Sequence, residues 1–373
     1  MIPIYKPYIE KYKESAIYTI QEEWISNHGI FVNLASEKLN EIFGIKYNIL
    51  MNNGTAATHC LLLALKYKHP QVKKVYVPNH VFIAPLNCAV QEYGIENVEI
   101  LRSSKDDVNF CQNEEYLNSL DKDSAILIVH NLGYIIDVEH IKQIRPDIVL
   151  IEDNCEGIFG KHGDSYSGTT TLCSALSFYG NKTITSGEGG CFMTNDIDVY
   201  NHIKVIYSHG MSEKRYVHHK QGFNYRMTNI QAALLYDQLN DIEHILNLKL
   251  QLFNRYNTLL EKELSDYKDT IFSLVPSHNT THSLWMYTLF IKNLDYNHFE
   301  NFMIEQNIQV RPLFYDVHEH THLKEIKKDT LVTSPLFSIG FMLPSYPSIT
   351  EKEQTYIAVC IKNYIVMRGS SVH

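Results

Sequence analysis

The segment from about residue 50 to residue 195 alternates short apolar runs with stretches of helical periodicity. Five runs are typical of buried strands, namely KVYVP (74–78), NVEIL (97–101), SAILIVHNL (124–132), DIVLIED (147–153) and CSALSF (173–178). Three stretches between them have apolar residues at helical spacing, namely TAATHCLLLALKY (55–67), IAPLNCAVQEYG (83–94) and DVEHIKQI (137–144). Strands that alternate with helices form crossover units, so the segment predicts an α/β fold with a mainly parallel sheet.

The pattern changes after about residue 240. A long amphipathic segment at roughly 228–263 is followed by the extended run LWMYTLFI (284–291), a helical stretch near 297–306 and a final helix from about Thr350. We therefore predict a large domain over residues 1–240, which includes an N-terminal arm, and a smaller C-terminal α+β domain over residues 241–373. The arm is expected to pack against the small domain or against a partner subunit.

Charge and cysteine usage disfavour several classes of protein. The chain has 33 basic and 42 acidic residues, and the resulting formal net charge of −9 disfavours a general nucleic-acid surface. The seven cysteines are scattered and never form a C-x-x-C pair, so neither disulfides nor a metal site is expected. No apolar run has the length of a membrane span, and the first residues lack the pattern of a secretory signal. We expect a cytoplasmic enzyme without a membrane partner.

Small and hydroxylic residues collect where strands of the expected sheet end, and α/β folds bind ligands there. The run NNGTAATHC (52–60) enters a helix through Gly54 and Thr55. Free N–H groups at such a helix start, together with the Thr55 hydroxyl, would suit a phosphate, although an ordinary helix cap explains the same residues. Ser177, at the end of its strand, could add a second hydroxyl.

Two acidic residues end the apolar run DIVLIED. Asp153 is better placed than Glu152 to meet a ligand, because successive side chains on a strand point to opposite faces. A carboxylate at this place either caps or forms an ion pair, or it holds the protonated nitrogen of a pyridine ring. The residues alone leave both interpretations open.

A lysine follows the next strand in SFYGNKTITSGEGG (177–190). The chain turns through Gly180, Lys182 comes next, and the glycine-rich GEGG leads into a further strand, CFMTN (191–195). A lysine after a turn is usually a solvated surface charge, whereas a lysine in a close-packed turn can form a Schiff base with an aldehyde. GEGG is compatible with any tight turn and does not decide between them.

A series of motifs in collinear order resembles the DegT/DnrJ/EryC/StrS family of sugar aminotransferases, in particular its perosamine-synthase-like members. The motifs are IPIYKP, EEWISNHG (22–29), NNGTAATH, VPNHVFIAPLNCAV (77–90), VHNLGYIID (129–137), IEDNCE, SFYGNKTITSGEGG, GFNYRMTNIQAA (222–233), VRPLFYDVH (310–318) and LPSYPSIT (343–350). The resemblance spans nearly the whole chain. It implies the aspartate aminotransferase fold, pyridoxal 5'-phosphate (PLP) as cofactor and a homodimer.

The resemblance also implies roles for single residues. Lys182 would hold PLP as a Schiff base, Asp153 would pair with the pyridine nitrogen, and Phe82 would stack on the ring. Glu156 would lie near the phenolic oxygen. Three further residues would hold the phosphate, namely Gly54, Thr55 and Ser177.

One implied contact crosses between subunits. Asn224 of the GFNYR motif would reach the phosphate of the neighbouring subunit, so that the active site would exist only in a dimer. Arg226 and Arg311 are both candidates for the ligand of the donor carboxylate, with no choice between them. The candidate substrate residues are Tyr216, His218, Arg226, Arg311 and His318.

The implied reaction moves an amino group from L-glutamate to a ketone, with Lys182 as general base and acid. Relatives in which histidine replaces this lysine are dehydratases, so Lys182 favours transamination. The family acceptor is a 4-keto-6-deoxy sugar nucleotide used for surface polysaccharide. Segments expected near the acceptor depart from the family pattern at Val81, LRSSKDD (101–107), Val217 and His219.

These departures keep other functions open. One alternative is amination of a small keto phosphate, such as dihydroxyacetone phosphate to serinol phosphate for a capsule modification. A second is a non-catalytic PLP-binding regulator. The regulator is disfavoured because Lys182 is present and no appended nucleic-acid-binding module is visible in the sequence.

Overall fold

The computed structural model describes residues 1–328 and 334–370 of the chain. Its strands, in chain order, are β1 (Tyr47–Met51), β2 (Lys74–Val77), β3 (Val98–Ile100), β4 (Ser124–Val129), β5 (Val149–Asp153), β6 (Lys161–His162), β7 (Ser165–Tyr166), β8 (Ser174–Ser177), β9 (Gly190–Thr194), β10 (Ile271–Phe272), β11 (Thr280–Thr281), β12 (Tyr287–Ile291), β13 (Arg311–Pro312), β14 (Lys327–Lys328) and β15 (Gly340–Leu343). Its α-helices are α1 (Glu14–Gln21), α2 (Ile30–Phe43), α3 (Gly54–Lys68), α4 (Ile83–Tyr93), α5 (Glu114–Ser119), α6 (Val138–Ile144), α7 (Ile197–Ile206), α8 (Asn229–Asn240), α9 (Ile242–Glu263), α10 (Tyr296–Glu305), α11 (Leu336–Ile339) and α12 (Glu351–Ser370).

The large sheet has the strand order β1-β9-β8-β5-β4-β2-β3-β14. Neighbouring strands from β8 to β14 are parallel, and β9 runs antiparallel to both β8 and β1. β4 is buried along its whole length, as expected of a central strand whose two faces are covered. The predicted mainly parallel α/β sheet is confirmed. The edge strand β1, which pairs along β9, was not predicted.

A second sheet, β10-β12-β15-β13, is antiparallel and packs with α9, α10 and α12 around its own apolar core. The first turns of α9 bury Ile242 and Ile245 in the core of the large sheet, whereas its later residues Leu252 and Tyr256 lie in the second core. β14 joins the large sheet although it comes late in the chain. The domain boundary after residue 240 therefore stays a prediction, since α9 and β14 both link the two parts.

The ends of several helices follow local sequence signals. Thr228 and Gln231 form a capping box at the start of α8, and the amphipathic segment breaks at Asp241 between α8 and α9. Thr350 and Glu353 exchange capping hydrogen bonds at the start of α12. The N-terminal arm contacts the second part of the chain, where the Ile2 N–H donates to the Asn307 carbonyl at 2.7 Å. The arm thus contacts the C-terminal part of the chain, which agrees with the first of the two expected packing partners, the small domain and a partner subunit.

Candidate active site

The carboxyl ends of β1, β5 and β8 meet at one edge of the large sheet. Gly190, the first residue of β9, is paired with both Met51 of β1 and Ser177 of β8. A Cβ on Gly190 would lie 2.3 Å from the Asn53 carbonyl oxygen, so only glycine allows the loop after β1 to pass this close. This close approach brings the start of α3 next to the end of β8.

The start of α3 lies against the end of β8. The Asn53 side chain caps the helix by accepting from the Ala56 N–H at 2.8 Å, and Thr55 is exposed. A Cβ on Gly54 would lie 2.7 Å from the Cβ and 2.9 Å from the Oγ of Ser177. Gly54 therefore lets the helix terminus, where N–H groups lack intrahelical partners, come close to a serine hydroxyl, and both kinds of group can bind an anion.

The two carboxylates at the end of β5 point to different surroundings, as their alternation predicts. Asp153 is buried, and its Oδ2 accepts from the Thr58 hydroxyl at 2.9 Å. The Glu152 carboxylate instead accepts from His130 Nε2 at 2.8 Å and from the Thr171 hydroxyl at 2.6 Å. Burial alone would raise the pKa of Glu152, but these hydrogen bonds outweigh it and lower the pKa. The Glu152 carboxylate is therefore engaged in structural contacts, whereas Asp153 faces the start of α3.

His130 was missed by the sequence reasoning. Its Nδ1 accepts from the Ile136 N–H at 3.1 Å, so Nε2 carries the proton that is donated to Glu152. The next residues turn sharply, and Leu132 has a left-handed φ of 57°. The Leu132 N–H then donates to Glu156 Oε2 at 2.8 Å. The loop after β4 thus orients the carboxylate of Glu156.

Glu156 is buried, and its carboxyl group interacts with the charge of Lys182 in the turn after β8. Burial raises the pKa of Glu156 to about 7, and the nearby charge of Lys182 acts in the opposite direction. Lys182 and Asp153 also influence the thiol of the partly buried Cys155, whose pKa is raised mainly by loss of solvent around the thiol. The charge of Lys182 thus acts on both Glu156 and Cys155, in agreement with a site that these residues share with Asp153.

The turn that carries Lys182 is tied down by backbone contacts. The Lys182 N–H donates to the Tyr179 carbonyl at 2.9 Å, and the Thr185 hydroxyl donates to the Phe178 carbonyl at 2.9 Å. The partly buried Lys182 side chain places Nζ 4.1 Å from the centroid of the Trp285 ring. Trp285 was not singled out from the sequence, where it was simply one residue of an extended apolar run.

Phe82 is the cap residue before α4 and lies just after the carboxyl end of β2. Its side chain is 55% exposed, an unusual exposure for a phenylalanine, and its ring meets Phe314 edge-on at 6.3 Å. The thiol of Cys88 on the same helix lies 3.8 Å from the Thr55 carbonyl oxygen, so α4 packs against the start of α3. An exposed ring at the start of α4 is suited to stacking on a flat ligand.

The predicted substrate residues occupy separate places. Arg311 lies over the Tyr5 ring at 5.2 Å. A hydrogen bond with Tyr5 raises the pKa of Tyr179, and the nearby charge of Arg311 offsets a small part of this rise. Tyr179 precedes Lys182 by three residues. Arg226 instead donates to Asn224 Oδ1 at 3.0 Å and contacts His209 Nε2 at 3.2 Å.

The segment around residues 208–226 holds three of the other expected residues. Asn224 is exposed, and its carbonyl oxygen accepts from Asn52 Nδ2 at 3.3 Å. Tyr216 is 74% exposed, and His218 Nδ1 lies 2.9 Å from the His209 carbonyl oxygen. The remaining candidate, His318, is exposed and lies 3.1 Å from the carbonyl oxygen of Ile326, beside β14. The contacts of these residues do not include Lys182.

Metal ions and membranes leave no signature in the part of the chain that the structure describes. Within residues 1–328 and 334–370, no group of three or more His, Cys, Asp or Glu side chains could hold a metal ion. In the same ranges, no helix combines the length and apolar character that crossing a bilayer requires.

The donor set fits PLP. A helix start against Ser177, a buried oriented carboxylate and a partly buried lysine lie at one sheet edge, and the model of one protein family matches residues 8–362. This chain belongs to the DegT/DnrJ/EryC1/StrS aminotransferase family. It is a PLP-dependent sugar aminotransferase of that family.

Similar proteins agree with this membership. The GDP-perosamine synthase of Escherichia coli O157:H7 is 30% identical over 373 residues, covering 97% of this chain and 98% of the relative. That of Vibrio cholerae is 30% identical over 381 residues, covering 98% and 99%. The E. coli GDP-4-keto-6-deoxy-D-mannose-3-dehydratase with bound hydrated PLP shares the fold, with a TM-score of 0.83, 19% identity and coverage of 96% and 99%. The expected aspartate aminotransferase type of fold is confirmed.

Proposed function

We propose that this aminotransferase moves the amino group of L-glutamate to the ketone of a phosphorylated carbohydrate, a 4-keto-6-deoxy sugar nucleotide, for surface polysaccharide biosynthesis. The observation that carries the transamination is Lys182, whose amino group shares a site with Asp153 and Glu156. The acceptor is supported by the two relatives named GDP-perosamine synthase, which match this chain over almost its whole length. The expectations of a capsule role and a cytoplasmic location stay predictions.

PLP, when bound, supplies an aldehyde and a ring that accepts electrons. Lys182 would hold the aldehyde carbon and, once released, would move a proton at the substrate carbon as base and then acid. Asp153, oriented by Thr58, would accept a hydrogen bond from the pyridine N–H and keep that nitrogen protonated. Glu156, whose pKa lies at about 7, would share a proton with the phenolic oxygen.

Other residues would position the cofactor. Gly54 and Thr55 would offer backbone N–H groups and a hydroxyl to the phosphate, and Ser177 would add a second hydroxyl. Phe82 would cover one face of the ring. Arg311 is our choice for the donor carboxylate, since it lies beside Tyr179 of the lysine turn, whereas Arg226 is occupied by Asn224.

The proposal includes a homodimer. Large apolar side chains are exposed on α1, in the segment that leads to α2 and at the first residue of α2, as expected of a surface covered by a partner, namely Ile17, Ile20, Trp24, Ile25 and Ile30. Asn224 is exposed, which leaves its amide available to the phosphate of a second subunit. Tyr216, His218 and His318 would contact the acceptor, and all three side chains are exposed.

Two measurements test this function. Purified protein reconstituted with PLP should show a visible absorption band that Lys182→Ala lacks. Lys161→Ala, which removes an amino group over the Tyr166 ring, is the matched control and should keep the band. A wild type without the band would overturn the assignment of Lys182.

Glutamate-dependent amination is then measured with GDP-4-keto-6-deoxymannose and with dihydroxyacetone phosphate. Turnover of the sugar nucleotide is expected. Turnover of only the small keto phosphate would replace the acceptor by the second candidate. Reaction with neither acceptor and no conversion of the cofactor by glutamate would favour a PLP-binding regulator.

A further inference from the structure

Trp285 joins the C-terminal part of the chain to the catalytic turn. It lies two residues before β12, and only 4% of its surface is exposed. Its indole Nε1 donates to the Asn181 carbonyl at 3.1 Å, and its ring lies 4.1 Å from Lys182 Nζ. One side chain thus contacts both the backbone next to the catalytic lysine and the amino group itself.

The backbone that presents Trp285 is unusual. Leu284 has a left-handed φ of 60°, a conformation that leucine rarely adopts, and its N–H donates to His282 Nδ1 at 2.9 Å. Lys249 Nζ donates to the Trp285 carbonyl at 2.8 Å and also to the Ser345 carbonyl. A strained residue and a buried lysine therefore fix the position of Trp285 from two sides.

The chemistry of an aromatic face suits a lysine that must leave and return. The ring attracts a cationic amino group but forms no ion pair with it, so the group is held without being neutralised. The other ionisable groups whose electrostatic interactions involve Lys182 or its neighbours are Asp153, Cys155 and Glu156. Glu156 would attract the lysine ammonium group strongly only when its own carboxyl group is ionised. The Trp285 ring attracts the ammonium group whether or not Glu156 is protonated.

We propose that Trp285 is a positioning residue for Lys182, which receives the amino group whenever it is not joined to the cofactor. The inference rests on the proposed role of Lys182 in transamination. It adds that Trp285, in the C-terminal part of the chain, determines the position of the Lys182 amino group when this group is not bonded to the cofactor. The residue acts through Lys182 and needs no contact with the substrate.

The contact can be tested by fluorescence, because the chain has two tryptophans and Trp24 is exposed. Trp24→Phe leaves Trp285 as the single emitter in the full chain without cofactor. Adding Lys182→Met to this protein removes the amino group above the ring, and we expect the emission intensity or wavelength to change. Adding Lys161→Met, which removes an amino group from above Tyr166, is the matched control and should change nothing. Identical emission with and without Lys182 would overturn the proposal.

The function of the contact is tested in the half-reaction with glutamate, followed by the spectrum of the bound cofactor. Trp285→Leu removes the ring and the indole donor, and the rate should fall about 10-fold or more while PLP affinity changes by less than about 3-fold. Trp285→Phe keeps a ring face and should recover most of the rate. A wild-type rate in Trp285→Leu, or equal losses in both variants, would contradict a positioning role.

The half-reaction separates this inference from the acceptor. It needs no sugar, so a wrong acceptor would leave the result unchanged. Failure of the wild type to react with glutamate would overturn the proposed function itself. If Trp285→Leu does not fold, the single-tryptophan comparison still decides, because it leaves Trp285 in place.

Discussion

The Thr58 hydroxyl donates a hydrogen bond of 2.9 Å to Oδ2 of Asp153. The other carboxylate oxygen accepts from the Cys155 N–H at 3.0 Å, so Asp153 is oriented before any ligand binds. Thr58 lies one turn after Gly54 on α3. The same helix therefore lies against Ser177 with its first residue and orients the Asp153 carboxylate with its fifth.

Replacing Thr58 by Val should weaken PLP binding about 10-fold, because a hydrogen bond to a charged group typically stabilises by roughly 1.5–3 kcal/mol. The dissociation constant is measured from the cofactor absorbance during titration. Thr258→Val on the exposed face of α9, where the hydroxyl only donates to the Asn254 carbonyl, is the control and should bind PLP like the wild type. Equal affinities of Thr58→Val and wild type would show that the carboxylate does not depend on this hydroxyl.

Gly54→Ala should reduce PLP affinity by more than about 10-fold, because the new Cβ would lie 2.7 Å from the Ser177 Cβ and push apart the two groups proposed to hold the phosphate. The double variant Gly54→Ala with Ser177→Gly removes the overlap and should recover part of the loss. Equilibrium dialysis gives the affinities, and thermal unfolding checks that both proteins are folded. A double variant that binds no better than the single one would show that steric overlap is not the cause.

The sequence predicted most of the central fold because each buried strand there is a continuous apolar run. β2, β4 and β5 lie within the runs that predicted them, since strands covered on both faces need no polar positions. β1 has a similarly apolar sequence, YNILM, but in the described part of the chain no strand comes before it that could form a crossover unit with it. Its partner β9 runs antiparallel. Pairing between strands so distant in the chain leaves no local signal.

The site divides in the same way. The alternation of Glu152 and Asp153 follows from strand geometry and was predicted from it, whereas the lysine turn was ambiguous until the family resemblance was considered. Trp285 could not be found because nothing near it in the chain distinguishes it from a core residue. Its role depends on Leu284 and Lys249, which come together only in the folded protein.

Glu156 should make the stability of the cofactor-free protein depend on pH. Burial raises its pKa from 4.5 to about 7, so between these values the folded state holds a proton that the unfolded state has lost. The free energy of unfolding should therefore fall as the pH rises from 4.5 to 7, by at most about 3 kcal/mol. Urea unfolding at several pH values should show this fall in the wild type and a smaller one in Glu156→Gln.

The control for Glu156 is Glu37→Gln, which removes an exposed carboxylate on α2. Its unfolding free energy should follow the wild-type pH profile. Should Glu156→Gln keep the full wild-type slope, the carboxyl group would be ionised in the folded protein at these pH values, and a proton shared with the phenolic oxygen would have no basis.

Lys249 should produce the opposite dependence at higher pH. Burial lowers its pKa from 10.5 to about 7, so between these values the unfolded state binds a proton that the folded state lacks. The free energy of unfolding should then rise with pH from about 7 toward 10.5, by up to about 1.4 kcal/mol per pH unit. Lys249→Met should lack this rise, and Lys262→Met, an exposed change on the same helix, should keep it. A rise of equal size in Lys249→Met would mean that the two carbonyl acceptors keep Lys249 protonated, and that Trp285 is held by a buried ammonium group.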